Sequence, residues 1–146
     1  MFTRNTSLPF VAMLSLLLAS CGASEAPLGR WEGVSESTNW LVAVRLQVDP
    51  GNVIHSTALS INVSDTALPE RARLSDKIRS MLPDEWERAT SSKVDFVNNV
   101  IRRAGGFAPM FVYDPGKGTM TFNFYGGGKH AEHVKLHPVK NFMVTD

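Results

Sequence analysis

Residues 40–64 read WLVAVRLQVDPGNVIHSTALSINVS, and two alternating segments flank a turn in this stretch. Apolar side chains recur at every second position from residue 40 to residue 48, which is the period of a half-buried strand. Residues 49–52 are the types that form tight turns. Apolar side chains return at odd positions between 53 and 63. The sequence therefore predicts an antiparallel hairpin from about residue 40 to residue 64.

A first helix is predicted in the middle of the chain. Leu74, Ile78 and Met81 are spaced so that they share one helical face. Pro69 is tolerated in the first turn of a helix, and Pro83 would stop it. We therefore expect a helix that begins near residue 69 and ends before residue 83.

A second helix is predicted directly afterwards. The serine pair at 91–92 offers an N-cap, and the glycine pair at 105–106 would end the helix. Between these pairs, Val94, Val97 and Ile101 are spaced for one helical face.

Strand signals return after residue 109. Met120, Phe122 and Phe124 alternate with polar residues, and stretches rich in glycine at 114–118 and 126–129 would turn the chain. The predicted order is strands, two helices, strands. This order indicates an α+β fold, in which an antiparallel, curved or partly closed β-sheet has two helices inserted between its N- and C-terminal strand groups.

Composition excludes several classes of function. The chain has 146 residues, with 15 Lys and Arg against 14 Asp and Glu, so the net charge of +1 gives no electrostatic footprint for nucleic acid. Its single cysteine excludes an intrachain disulfide and a zinc cluster built from cysteines.

The N-terminus has the pattern of a secretory signal. Residues 8–19 form an uncharged, mostly apolar run of 12 residues, shorter than the about 20 that cross a bilayer. The motif Leu18-Ala19-Ser20-Cys21 that follows resembles the lipobox of bacterial lipoproteins. The resemblance implies that residues 1–20 are a signal peptide and that Cys21 becomes the lipidated mature N-terminus. The alternative is an ordinary signal or anchor with a chance cysteine.

The lipobox resemblance also implies a location and a layout. We expect residues 21–28 to be a lipidated tether and residues 29–146 a single globular domain. The protein would be anchored by palmitate-type chains in the cell envelope. Gly22 follows the cysteine where Asp would favour the inner membrane in enterobacteria, so the periplasmic face of the outer membrane is expected.

A second, shorter motif opens the domain. Gly29-Arg30-Trp31 resembles the G-x-W that opens lipocalin-like barrels, the calycins. In that family the Trp closes the floor of the barrel and the cavity binds small apolar molecules. The predicted helices depart from an uninterrupted meander of eight strands, so the alternative is a Trp that plugs one end of a smaller core.

Five residues are predicted to line a ligand. His55 and Thr57 share the parity of Leu59, so we expect them to point inward near one end of the strand. A hydrogen-bonded histidine in the core or at the rim is the alternative reading of position 55. The full predicted set is His55, Thr57, Met120, Phe122 and Phe124.

The C-terminal histidines do not predict a metal site. His133 and His137 are four residues apart, which is about 13 Å along a strand and too far for two ligands of one zinc ion. His130 and His133 would lie on opposite faces. The chain shows neither a phosphate-loop spacing nor a readable arrangement of nucleophile and base. We therefore expect no metal, no cofactor and no enzymatic activity.

Two hypotheses for function remain. The first is a non-enzymatic envelope lipoprotein that acts through protein–protein interaction with another envelope protein. The alternative is a lipocalin-like binder of a small apolar ligand or lipid. In both hypotheses the N-terminal lipid attaches the protein to the membrane, and neither hypothesis involves nucleic acid.

Overall fold

The computed structural model describes residues 24–37, 39–81, 91–125 and 131–142. These ranges contain one helix and eight strands. In chain order they are β1 (Gly29–Glu36), β2 (Trp40–Asp49), β3 (Val53–Asn62), α1 (Leu68–Met81), β4 (Ser91–Val97), β5 (Val100–Arg103), β6 (Pro109–Asp114), β7 (Thr119–Tyr125) and β8 (Ala131–Val139).

The strands form a closed antiparallel barrel. Each strand pairs with the next along the chain, and β1 pairs with β8 to close the sheet. The predicted α+β fold, with two helices and a partly closed sheet, is therefore wrong. Closure depends on pairing between strands about 100 residues apart, which no local pattern reveals.

The predicted second helix is a hairpin. Residues 91–103 form β4 and β5, joined by Asn98 and Asn99 with φ angles of 52° and 64°. Two successive residues at positive φ are typical of the tight hairpin turns that suit twisted strands, and Asn tolerates this conformation well. Val94 and Ile101 face the barrel interior while Val97 is exposed, so their helical spacing was a coincidence.

The predicted first helix is present as α1, and it lies on the outside of the barrel. Its Ile78 is fully buried and packs with Leu41 and Ala43 of β2, and Leu74 packs against the same cluster. Because the helix covers the outer face and the core fills the inner face, β2 is buried on both sides. This arrangement decides which face of the neighbouring β3 is apolar.

The inside of the barrel is a hydrophobic core. It contains side chains from every strand, with Phe111, Met120 and Leu136 among those that are fully buried. We call the end of the barrel with the turns at 49–53, 97–100 and 114–119 the base, and the opposite end the mouth. Trp31 lies toward the base, where its ring meets that of Tyr113 edge-on at 5.9 Å between centroids.

Residues 24–28, which we call the basal strap, cross the base before β1 begins. The Ser24 hydroxyl donates a hydrogen bond of 2.7 Å to the Phe96 carbonyl at the end of β4. The Ala26 N–H donates to Asn52 Oδ1 at 2.8 Å, and the Ala26 side chain is buried in the core. The strap therefore runs from β4 past the β2–β3 turn to β1 and helps to close the base.

Candidate functional site

The lumen face of β3 is unlike the rest of the interior. At the base this face carries the buried Ile54, which pairs with Val48. Farther toward the mouth it carries Ser56, Ala58 and Ser60, which pair with the buried Leu46, Val44 and Val42. Ala58 is exposed to solvent although its register places it on the inner face. Solvent therefore reaches β3 at Ala58, while Val42 and Val44 beside it stay buried.

Aromatic residues of β7 and β2 also border this space. Phe122 and Phe124 of β7 are partly buried and pack against the core. Phe124 meets Trp40 of β2 at 6.0 Å between ring centroids with an interplanar angle of 65°, an edge-to-face contact across the lumen. We call the space bordered by the following residues the upper cup: Trp40, Ser56, Ala58, Ser60, Phe122 and Phe124.

The upper cup has a solid floor. Ile54 and Met120 lie below it and are fully buried in the core cluster. Because the lower half of the barrel is filled, the cup is confined to the half nearer the mouth. It offers aromatic rings from β2 and β7 and hydroxyl groups from β3.

A seam runs along β3 beside the cup. Only residues 53–55 of β3 pair with β4, through residues 91–93. Among the described ranges, no strand pairs with residues 56–62 on the side away from β2. The lumen can therefore be reached from the side of the barrel within the part of the chain that the structure describes.

The structure brings together three of the five predicted ligand-lining residues. Phe122 and Phe124 border the cup, and Met120 lies in its floor. Whether these residues contact a ligand stays a prediction.

The inward orientation predicted for His55 and Thr57 is wrong. They pair with Gln47 and Arg45 on the outer face of the barrel. The apolar residues of their parity, such as Leu59, pack against the cluster under α1 and not in the lumen. The predicted inner and outer faces of β3 were exchanged because α1 covers the more apolar face, which therefore lies on the outside of the barrel.

Sequence reasoning missed Ser56, Ala58 and Ser60. Their signal is the regular recurrence of small and hydroxyl side chains on one face of a strand. In the closed barrel this is the face that points into the lumen.

His55 makes a polar contact at the outer rim of the base. Its Nε2 lies 2.9 Å from Asp49 Oδ2, and the Gln47 side chain donates to Asp49 Oδ1 at 2.8 Å. His55 is therefore a hydrogen-bonded rim histidine, the alternative that the sequence left open.

The C-terminal histidines are surface residues where the structure describes them. His133 and His137 are exposed on the outer face of β8, and His133 Nδ1 lies 2.8 Å from Asn123 Oδ1. His130 lies outside the described residues. Within the described ranges, no three His, Cys, Asp or Glu side chains are grouped to hold a metal ion.

A shallow depression of about 360 Å³ lies at the base between β1, β2 and β8. Two of its charged groups are already engaged: Arg30 donates to Gln47 Oε1 and to the Lys140 carbonyl, and Asp49 accepts from His55 and Gln47. The upper cup combines an exposed position on the lumen face with aromatic and hydroxyl side chains, so we take the cup as the candidate site.

Comparisons of the chain with protein-family models, with curated proteins and with solved structures found no match. In the described part of the chain, no helix has the length and apolar character needed to cross a membrane.

Proposed function

We propose that this protein is a lipid-anchored envelope binding module that holds a small, mainly apolar ligand in the upper cup. The observation that carries the proposal is the exposure of Ala58 on the lumen face of a closed barrel. A small side chain at such a position leaves space for a ligand. A barrel of eight strands has an interior just wide enough to be filled by side chains or to hold one small ligand.

The lining suggests the chemistry of the ligand. Trp40 and Phe124 offer aromatic faces and edges, while Ser56 and Ser60 can each donate and accept a hydrogen bond. Small-molecule sites commonly combine mostly apolar walls with a few polar groups that orient the ligand. We therefore expect an apolar body that carries one or two polar atoms.

The anchor is the second part of the proposal, and it rests on the lipobox-like motif ending at Cys21. Two or more acyl chains give stable membrane attachment, whereas one chain gives only reversible binding. Envelope location on the periplasmic face of the outer membrane follows from the same resemblance. The mass of the mature N-terminal peptide tests this part, since acylation of Cys21 adds the mass of the chains.

A fluorescent fatty-acid analogue tests the cup. Dansyl-undecanoic acid bound there would receive energy from Trp40, so its emission should rise on addition of the wild-type protein. Ala58→Phe should abolish most of this rise because the larger side chain fills the cup. Lys135→Phe, on the exposed outer face of β8, is the matched control and should bind as wild type does. Equal binding by wild type and Ala58→Phe would reject the cup as the site.

Protein–protein interaction remains the second candidate because of one observation. Phe107, between β5 and β6 at the mouth, is 97% exposed, and aromatic side chains are enriched at protein–protein interfaces. A loss-of-function phenotype in cells, compared between two variants, separates ligand binding from protein–protein interaction. Loss of function in Ala58→Phe with Phe107→Ser unaffected favours the ligand, and the opposite result favours a protein partner.

A further inference from the structure

The basal strap limits how far the barrel can lie from its anchor. Ser24 is bonded to the end of β4, and only residues 22 and 23 separate it from Cys21. Three Cα–Cα steps span at most about 11 Å. An anchor at Cys21 therefore holds the β4 side of the base within about 11 Å of the lipid attachment point.

A row of apolar residues on the outer face of the barrel lies beside the contact between Ser24 and the end of β4. Val97 of β4 pairs with Val100 of β5, which in turn pairs with Val112 of β6. Val97 is 51% exposed and Val112 is 37% exposed, while Val100 is partly buried. We call these three residues the valine row. Val97 directly follows Phe96, whose carbonyl binds Ser24.

We infer that the valine row and the base of the barrel face the bilayer, and that the mouth points away from it. The inference rests on the lipid anchor of the proposed function. The occupant of the valine row is then the lipid surface, since a short tether next to an apolar patch brings that patch and the acyl chains together. The acyl chains at Cys21 supply the affinity for the membrane. The valine row and the basal strap determine which side of the barrel faces it.

The distance between the two ends makes this orientation measurable. Phe107 precedes Val112 of the valine row by five residues, which span at most about 17 Å along a strand, and the strand tilt of a barrel reduces this to about 13 Å along the axis. Phe107 should therefore lie farther from the headgroup region than Val97.

The experiment uses the full processed protein in vesicles of phosphatidylethanolamine and phosphatidylglycerol that contain a headgroup spin label. Because acylation blocks Cys21, Val97→Cys and Phe107→Cys each supply one free thiol for a fluorophore. Both positions are exposed, so the fold should tolerate both variants. We expect the spin label to quench the probe at position 97 several-fold more than the probe at position 107. Equal quenching, or stronger quenching at 107, overturns the orientation.

A longer tether provides the second measurement. A flexible Gly-Ser insertion of about 12 residues between positions 23 and 24 adds roughly 20 Å of reach. Quenching at position 97 should then fall several-fold, and unchanged quenching would contradict the role of the short tether.

The mass of the N-terminal peptide separates the two proposals. Acylated protein without an orientation refutes only this inference, whereas absence of acyl chains removes the anchor and this inference with it.

Discussion

Arg45 and Glu32 face each other across β2 and β1 on the outside of the barrel, and Arg45 Nε lies 3.3 Å from Glu32 Oε2. Both side chains are almost completely buried, although they lie on the outer face. The Phe142 ring lies 5.4 Å from the Arg45 guanidinium, so the chain beyond β8 helps to cover the pair. A buried ion pair of this kind is costly to break from one side only.

The first prediction concerns this pair. Arg45→Met should lower the free energy of unfolding by about 3–5 kcal/mol, because the Glu32 carboxylate then stays buried without its cationic partner. Urea unfolding measures the change. Lys117→Met removes the cation of the exposed Lys117–Asp114 pair and should leave the urea midpoint almost unchanged. Similar losses in both variants would show that burial does not distinguish the pairs.

The second prediction tests the β4–β5 turn. Asn99→Gly should leave stability unchanged or raise it slightly, and Asn99→Ala should cost about 1–2 kcal/mol, since Ala at a φ of 64° is strained. In a helix the order is reversed, because Ala is favoured over Gly by about 1 kcal/mol. Thermal unfolding of the two variants therefore decides between hairpin and helix at this position.

The third prediction concerns barrel closure. A Cβ added at Gly33 would collide with the Lys135 carbonyl oxygen of β8 and press on the Leu136 side chain. Gly33→Ala should therefore cost about 1–3 kcal/mol or more through overpacking at the β1–β8 junction. Gly116→Ala is the matched glycine control, because the added Cβ makes only an ordinary contact there. The two urea midpoints should differ clearly.

The fourth prediction concerns the aromatic residues of the lumen. Phe111→Ala should lower the free energy of unfolding, measured in urea, by about 3–5 kcal/mol because Phe111 is fully buried. Phe122→Ala should cost less, since the ring is only partly buried where it borders the cup. Thr121→Ala, on the outer face of the same strand, should cost least. An equal loss at positions 111 and 122 would mean that the cup is closed in solution.

Local patterns predicted much of the secondary structure. The hairpin of β2 and β3, the helix α1 and the strand β7 were all visible as periods of two or 3.6 residues. The hairpin of β4 and β5 was not, because Val94, Val97 and Ile101 fit a helical face by chance. The pair Asn98–Asn99 was the overlooked signal, since adjacent Asn residues favour a tight hairpin turn.

The site was harder to predict because it depends on which face of β3 is inside. Alternation shows that a strand has two unlike faces, but it does not show which one the rest of the chain will cover. Leu59 packs under α1, so His55 and Thr57 were assigned to the wrong side. For β7 the outer face is polar and carries no helix among the described contacts, so the inward assignment of Phe122 and Phe124 was correct.

The basal strap also determines how the molecule bears load. Any tension applied through residues 21–23 reaches Ser24 and Ala26 first, and both are bonded to the base of the barrel. Beyond them lies β1, which is held by β2 along eight positions and by β8 along three. The strand that receives the pull is thus the one that closes the barrel, so forcible extraction of the N-terminus would open the fold at the β1–β8 junction.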